Sequence, residues 1–136
     1  MLTVLDTNIL ISALLFRGET SRIHRAIKEG RLQPLVTTPV LREYLRVLAY
    51  PKLGLTETEI SYLLEEEIRP WFRQISESVP GDLWIAEDPS DDHFVNAARV
   101  YSETYLISGD SYILEARERL PVPVLTAREL LDRLRE

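Results

Sequence analysis

The chain has 136 residues, 45% of them hydrophobic and 28% charged, with a net charge of −6. That length suits one domain with a sizeable core, covering 1–136, and the balance is that of a soluble globular chain rather than a disordered one. The absence of cysteine excludes disulfides, thiolate metal sites and Cys nucleophiles, and the acidic balance argues against broad counterion-release gripping of a polyanion, so any nucleic-acid contact must be local.

Leu2 to Leu5 read as a short apolar strand of the kind buried on both faces of a parallel sheet. Helix is predicted from Ile9 to Phe16, then from about Thr20 to Glu29, closed by Gly30. "LQPLVTTP" supplies a second strand, and Thr38 followed by Pro39 reads as a cap and first helical residue for a helix to about Ala49. Thr56 and Glu59 stand in capping-box spacing before a helical repeat of Ile60, Leu63, Leu64 and Ile68, with the acidic run Glu65 to Glu67 as its solvated side. Alternation from Gln74 to Val79 suggests a strand, with Pro80 and Gly81 as a turn. A helix from Ser90 to about Ser102 follows, then a buried strand in "TYLISGD", a helix from Tyr112 to about Arg119, a strand "VPVL", and a last helix opened by the capping box of Thr126 and Glu129. Strands alternating with helices imply right-handed crossovers and an α/β fold whose short parallel sheet is covered on both faces.

No segment approaches the roughly 20 apolar residues needed to span a bilayer, and no basic region precedes the first apolar stretch; the expected location is the cytoplasm. Lys28 and Lys52 are the only lysines, and the other basic residues are arginines, which suit planar recognition of phosphate or carboxylate.

In an open parallel sheet, functional groups gather beyond the carboxyl ends of the strands. Asp6 ends the first strand, and Asp110 follows the strand "YLIS" after Gly109, so both belong at one edge of the sheet. On the helix begun near Ser90, Asp91 shares a face with Phe94, Val95 and Ala98, which must meet the sheet. Asp92 is turned away by about 100° and is expected to point to solvent. Glu43 borders the stripe of Val40, Leu41, Tyr44, Leu45 and Leu48, where a carboxylate at the margin of a buried face needs a partner. Each acid alone has an ordinary explanation: Asp6 as a helix cap, Asp110 as a turn former, and Asp91 and Asp92 as complements to a helix dipole. Four carboxylates converging without compensating lysines would repel one another strongly, and a divalent cation is the natural remedy. All-oxygen ligation, with no cysteine and no well-placed histidine, points to Mg²⁺ or Mn²⁺ rather than zinc. His24 and His93 read as structural or surface residues.

"VLDTNILISALLF", "TTPVLREYLRVLAYPKLGLTETEI", "DPSDDHFVNAA" and "YLISGDSYIL", taken in order, resemble the PIN-domain family over almost the whole chain. The nearest group is that of toxins of bacterial and archaeal toxin–antitoxin systems related to VapC. The resemblance implies a three-layer α/β/α fold and four acids, matched here by Asp6, Glu43, Asp91 and Asp110, that use Mg²⁺ or Mn²⁺ to cleave RNA. It implies supporting roles for Asn8 and Ser108, an antitoxin that occludes the acidic crevice, and commonly a homodimer. Related chains often carry a further Asp where this one has Tyr112, and Asn and Lys where it has Asp92 and His93; Asp92 is a candidate to replace the missing acid.

The expected activity is hydrolysis of an RNA phosphodiester, with Asp6, Asp91 and Asp110 holding the ion and Glu43 orienting or deprotonating the attacking water. Arg22, Arg42, Arg46 and Arg99 are candidates for contact with backbone phosphates. Two rival readings are a non-catalytic PIN-like interaction scaffold and an aspartyl-phosphate phosphatase or receiver module. The second lacks both the Asp expected two residues after Asp6, where Asn8 stands, and any lysine beyond Lys52.

Overall fold

Leu2–Leu5 forms strand β1, in which Thr3, Val4 and Leu5 are fully buried, as the middle of a two-sided sheet requires. The computed structural model describes residues 1–77, 79 and 81–135 and places β1 third of five strands. β2 (Gln33–Val36) and β4 (Tyr105–Ile107) flank it, and β3 (Arg73–Gln74) and β5 (Val124–Leu125) form the edges; every pairing is parallel. The strand order is therefore β3-β2-β1-β4-β5. The chain leaves β1 toward β2 on one side and later adds β4 on the other, so the winding reverses at the boundary of β1 and β4. That switch point is where a crevice opens beyond the strand ends.

The helices are α1 (Thr7–Leu15), α2 (Ser21–Lys28), α3 (Thr38–Leu48), α4 (Glu57–Tyr62), α5 (Asp91–Ala98), α6 (Ser111–Ala116) and α7 (Ala127–Leu134). α5 packs on β1, β2 and β4, while α7 packs on β5 and α2, and α1 bridges α2 and α3. The result is a three-layer α/β/α architecture. Both expected capping boxes form, at Thr56 with Glu59 and at Thr126 with Glu129.

Several boundaries differ from the sequence reading for identifiable reasons. α1 starts at Thr7, two residues early, because Asp6 caps it. α3 is capped by Thr37 rather than Thr38, with Thr37 Oγ1 accepting the Val40 N–H at 3.2 Å and Pro39 in the first turn. The helix expected through Ile68 is α-helical only to Tyr62 and continues as a π-helix over Leu63–Ile68. Its i→i+5 winding turns residues five apart onto one face, which lets both Leu63 and Ile68 be buried. α5 stops at Ala98 instead of near Ser102: Arg99 and Val100 tighten onto the carbonyls three residues back, and Glu103 adopts a left-handed φ of 60° before β4. The strand expected over Gln74 to Val79 shrinks to the two-residue edge β3; Ser78 and Pro80, on which part of that strand and its turn were predicted, lie outside the described residues.

At the centre of the main core, Tyr44 is fully buried, edge-on to Phe72 with ring centroids 6.4 Å apart and 6.2 Å from Phe94. Its hydroxyl donates to the Leu5 carbonyl at 2.5 Å, so α3 is pinned to the last residue of β1. Burial, with the charge of Asp6 nearby, pushes the phenol well above its ordinary pKa and keeps it a donor.

Candidate active site

Asp6 leaves β1 at the switch point and is 4% exposed. Its Oδ1 accepts the Ile9 N–H at 2.9 Å and so caps α1, while its Oδ2 accepts the Ser108 hydroxyl. The Asp6 N–H donates to the Ile107 carbonyl at 3.0 Å, which seats the ends of β1 and β4 side by side. Ser108 lies one residue beyond β4, fully buried, and its Oγ accepts the Asp110 N–H at 3.0 Å. Burial raises the Asp6 carboxyl to about 6, against the lowering pull of the Ser108 and Ile9 hydrogen bonds.

Asp110 caps α6, with Oδ1 accepting the N–H groups of Tyr112 and Ile113 at 2.9 and 3.2 Å. The ordinary reading of Asp6 as a cap is thus true, and Asp110, read as a turn former, turns out to be a helix cap as well. Asp110 caps with one oxygen, and among the described residues its Oδ2 makes no hydrogen bond. The Tyr112 side chain is exposed and only its backbone serves this turn.

Asp91 is the first residue of α5 and 7% exposed, with a buried Oδ2 that has no hydrogen-bond partner among the described residues. Its carboxyl is pushed up to about 7, chiefly by burial and then by the charges of Asp110, Asp88, Asp6 and Asp92. A buried unsatisfied carboxylate oxygen is costly, and native structures keep few of them.

Each oxygen of Glu43 accepts one hydrogen bond from Arg46. Arg46, one turn on in α3, donates from Nε at 3.1 Å and from Nη2 at 2.5 Å to the two oxygens. Arg46 Nη1 reaches the Tyr50 hydroxyl, and the guanidinium lies 5.4 Å from the Tyr50 ring centroid. This two-point hold keeps the guanidinium well above its ordinary pKa, so Arg46 stays charged.

These side chains share one cavity of about 540 Å³, whose acidic side is formed by Asp6, Glu43, Asp88, Asp91 and Asp110 with Asn8 at its rim. All four acids expected from the sequence are therefore brought to one opening, and Ser108 stands just below it. Asp88 was missed. It lies in the turn ahead of α5, where its Oδ1 accepts the Ser90 N–H and hydroxyl at 3.1 and 2.6 Å. The only signal was the "DPS" turn chemistry, which says nothing about direction.

Asp92 corrects the sequence reading. It is 4% exposed rather than solvent-facing, and its Oδ1 accepts the backbone N–H groups of Trp84 and Ile85 at 2.7 and 2.8 Å. It lines a separate cavity with Thr37 and Asn96, and it cannot replace the acid absent at Tyr112. Of the candidate phosphate contacts, Arg46 is held by Glu43, Arg99 pairs with Asp82 at 2.5 Å and covers Trp84, and Arg22 lines a different depression; none lines the acidic cavity. His24 pairs with Glu67 at 2.6 Å and His93 is exposed, both outside the cavity.

Among the described residues, no three His, Asp or Glu side chains already stand as one chelating cluster. Five carboxylates line the one cavity, and two of them are pushed above the ordinary carboxylate range. Such a set attracts cations and can position water against an anionic ester only when its own charge is offset. Among the described residues no helix is long and apolar enough to cross a membrane.

No curated protein matches the chain in sequence. Among known families, residues 3–112 match the PIN domain, from β1 through the start of α6, and so take in every carboxylate of the cavity. The chain belongs to the PIN-domain family and has its nuclease-type fold.

Proposed function

We propose that the protein is a metal-dependent endoribonuclease, the toxin component of a toxin–antitoxin pair, acting in the cytoplasm. One observation supports this above others: the buried Oδ2 of Asp91 has no partner yet belongs to a cavity shared with four more carboxylates. PIN nucleases typically use divalent metal ions, and the donor set here fits one. The donors are all carboxylate oxygens, the hard ligands that suit Mg²⁺ or Mn²⁺. Mg²⁺ commonly takes one or two carboxylates directly and keeps several waters, so a preformed three-carboxylate cluster is not required.

Asp91, Asp6 and Asp110 would hold the ion. When bound, it supplies the positive charge that offsets the five carboxylates and lowers the pKa of a coordinated water. Ser108 fixes the rotamer of Asp6 and ties it to the Asp110 backbone, so the two strand ends present their acids as a unit. Glu43, held from one side by Arg46, orients the attacking water against the phosphodiester. Asn8, exposed at the rim, is placed to meet the substrate. An antitoxin would act by covering this opening, and a homodimer would leave it free.

Incubating Asp6→Asn and Asp110→Asn proteins with RNA and Mn²⁺ tests the reading: both are expected to lose activity by orders of magnitude, and rates equal to the unsubstituted protein reject it. The interaction-scaffold reading draws on Tyr112, which stands where related chains often carry a further acid, and on there being no preformed chelating cluster among the described residues. Calorimetric titration with Mn²⁺ decides between them, because a scaffold has no reason to bind the ion. The aspartyl-phosphate reading fits less well, since both oxygens of Asp6 already accept hydrogen bonds and little of the residue is accessible.

A further inference from the structure

The cavity that holds the acids is also lined by Phe16, Val47, Tyr50 and Leu53, with Lys52 among them. Phe16 is 56% exposed at the end of α1 and belongs to neither of the two apolar clusters that form the core. A lone exposed aromatic needs no explanation, but this one lines the cavity that holds the carboxylates. Tyr50 is already engaged, its hydroxyl and ring both occupied by Arg46, whereas the Phe16 ring is open. Lys52, in the 3₁₀ turn Pro51–Leu53, is the only cationic side chain lining the cavity among the described residues.

An aromatic face, a single cation and a carboxylate set in one cavity match the parts of one nucleotide: base, phosphate and metal-bound scissile group. We infer that Phe16 and Lys52 form a nucleotide-holding wall, in which an unstacked base lies on the Phe16 ring and Lys52 meets a neighbouring backbone phosphate. The inference rests on the nuclease reading and narrows its substrate to strands with a base free to leave its stack. A base stacked inside a duplex cannot present its face to a side chain, so paired strands are excluded. With a net charge of −6, the protein has no broad basic surface to hold a strand, so the lysine that lines this cavity carries the phosphate contact.

The test measures binding without turnover, by fluorescence anisotropy with labelled 2′-O-methyl oligonucleotides and Mg²⁺. Phe16→Ala is expected to weaken binding of the single strand by roughly five- to a hundredfold, the range for losing one stacked base, while Phe16→Tyr restores it. An oligomer with abasic sites should bind the unsubstituted protein weakly and be indifferent to Phe16→Ala. Lys52→Gln should weaken all oligomers alike and reduce the salt dependence by about one counterion. Circular dichroism checks that these exposed substitutions leave the fold intact. Equal binding by Phe16→Ala, duplex binding as tight as single-strand binding, or the same loss for abasic and base-bearing strands would each overturn the inference; the last would assign the ring to a sugar or backbone contact instead of a base. Binding and hydrolysis are read separately. A cavity that binds strands as described but hydrolyses none overturns the nuclease reading alone, and one that hydrolyses RNA without these effects overturns the wall alone.

Discussion

Ser108 and Asp6, 102 positions apart in the chain, are joined by a hydrogen bond from the Ser108 hydroxyl to Asp6 Oδ2, and the same Oγ accepts the Asp110 N–H. The bond crosses from the end of β4 to the end of β1, so the sheet register itself sets the distance between two acids of the cavity. Ser108→Ala is expected to cost about 1.5 to 3 kcal/mol in chemical denaturation, the range for a hydrogen bond to a charged group. It should also raise the Asp6 carboxyl above about 6, because Ser108 is the strongest influence holding it down. Carboxyl-carbon NMR titration reads that shift, and an Asp6 titration unchanged in the variant would contradict the assigned role.

The raised carboxyls of Asp6 and Asp91 give the metal-free protein an unusual pH profile. Both bind a proton more tightly in the folded state than in the unfolded chain, where the ordinary value is 3.8. Their contribution is complete below about pH 4 and is lost as pH rises through about 6 and about 7, so stability falls over that window. For Asp6 alone the loss is on the order of 3 kcal/mol, at about 1.4 kcal/mol per pKa unit. Glu59 and Glu129, held below their ordinary value of 4.5 by capping-box hydrogen bonds, pull the other way, and their contribution is lost as pH falls below that ordinary value. Thermal unfolding in EDTA between pH 5 and 8 should show Tm falling, and Asp91→Asn should flatten the upper part of that fall. Mn²⁺ should restore Tm at pH 8, where the unprotonated carboxylates are most in need of a counter-charge.

The parts of this site that were legible in the sequence are those set by local rules. Asp6 and Asp110 end strands, which fixes the edge they occupy, and Asp91 follows from a 3.6-residue stripe. What could not be read depends on segments returning from elsewhere. Asp92 is buried because the backbone at Trp84 and Ile85 folds back over α5, and no periodicity within α5 encodes that. Asp88 precedes the helix, in a turn whose direction is set by packing. The Glu43–Arg46 pair has an i,i+3 spacing that the sequence displays, yet Arg46 was read as a phosphate contact and not as the partner that Glu43 needs.

Asp91 and Asp92 are neighbours with opposite expected phenotypes. Asp92→Ala orphans two backbone N–H groups, and its cost is expected at about 2 to 4 kcal/mol with Mn²⁺ affinity unchanged wherever the protein is folded. Asp91→Asn removes a buried charge whose Oδ2 has no partner, so at pH 8 the metal-free protein should be no less stable, while Mn²⁺ binding is lost. Calorimetry and urea denaturation on the same preparations separate the two. The reverse pattern, with Asp92 controlling the ion and Asp91 the fold, would exchange their roles.

Arg46 tests how much orientation matters at Glu43. Both Glu43 oxygens are fixed by the guanidinium fork, and the fork is itself held by Tyr50, so the carboxylate has one orientation in the free protein. Arg46→Met keeps an apolar stem but removes the fork, together with its contacts to Tyr50. The carboxylate is then free to rotate, and kcat on RNA is expected to fall several-fold with KM nearly unchanged, because orientation of the attacking water matters most in the transition state. Arg46→Lys should not rescue the rate, since an ammonium makes a point contact where the fork makes two parallel bonds. Full activity in the lysine variant would mean that charge alone is what Glu43 needs, and that its fixed geometry belongs to the structure of α3 rather than to the reaction.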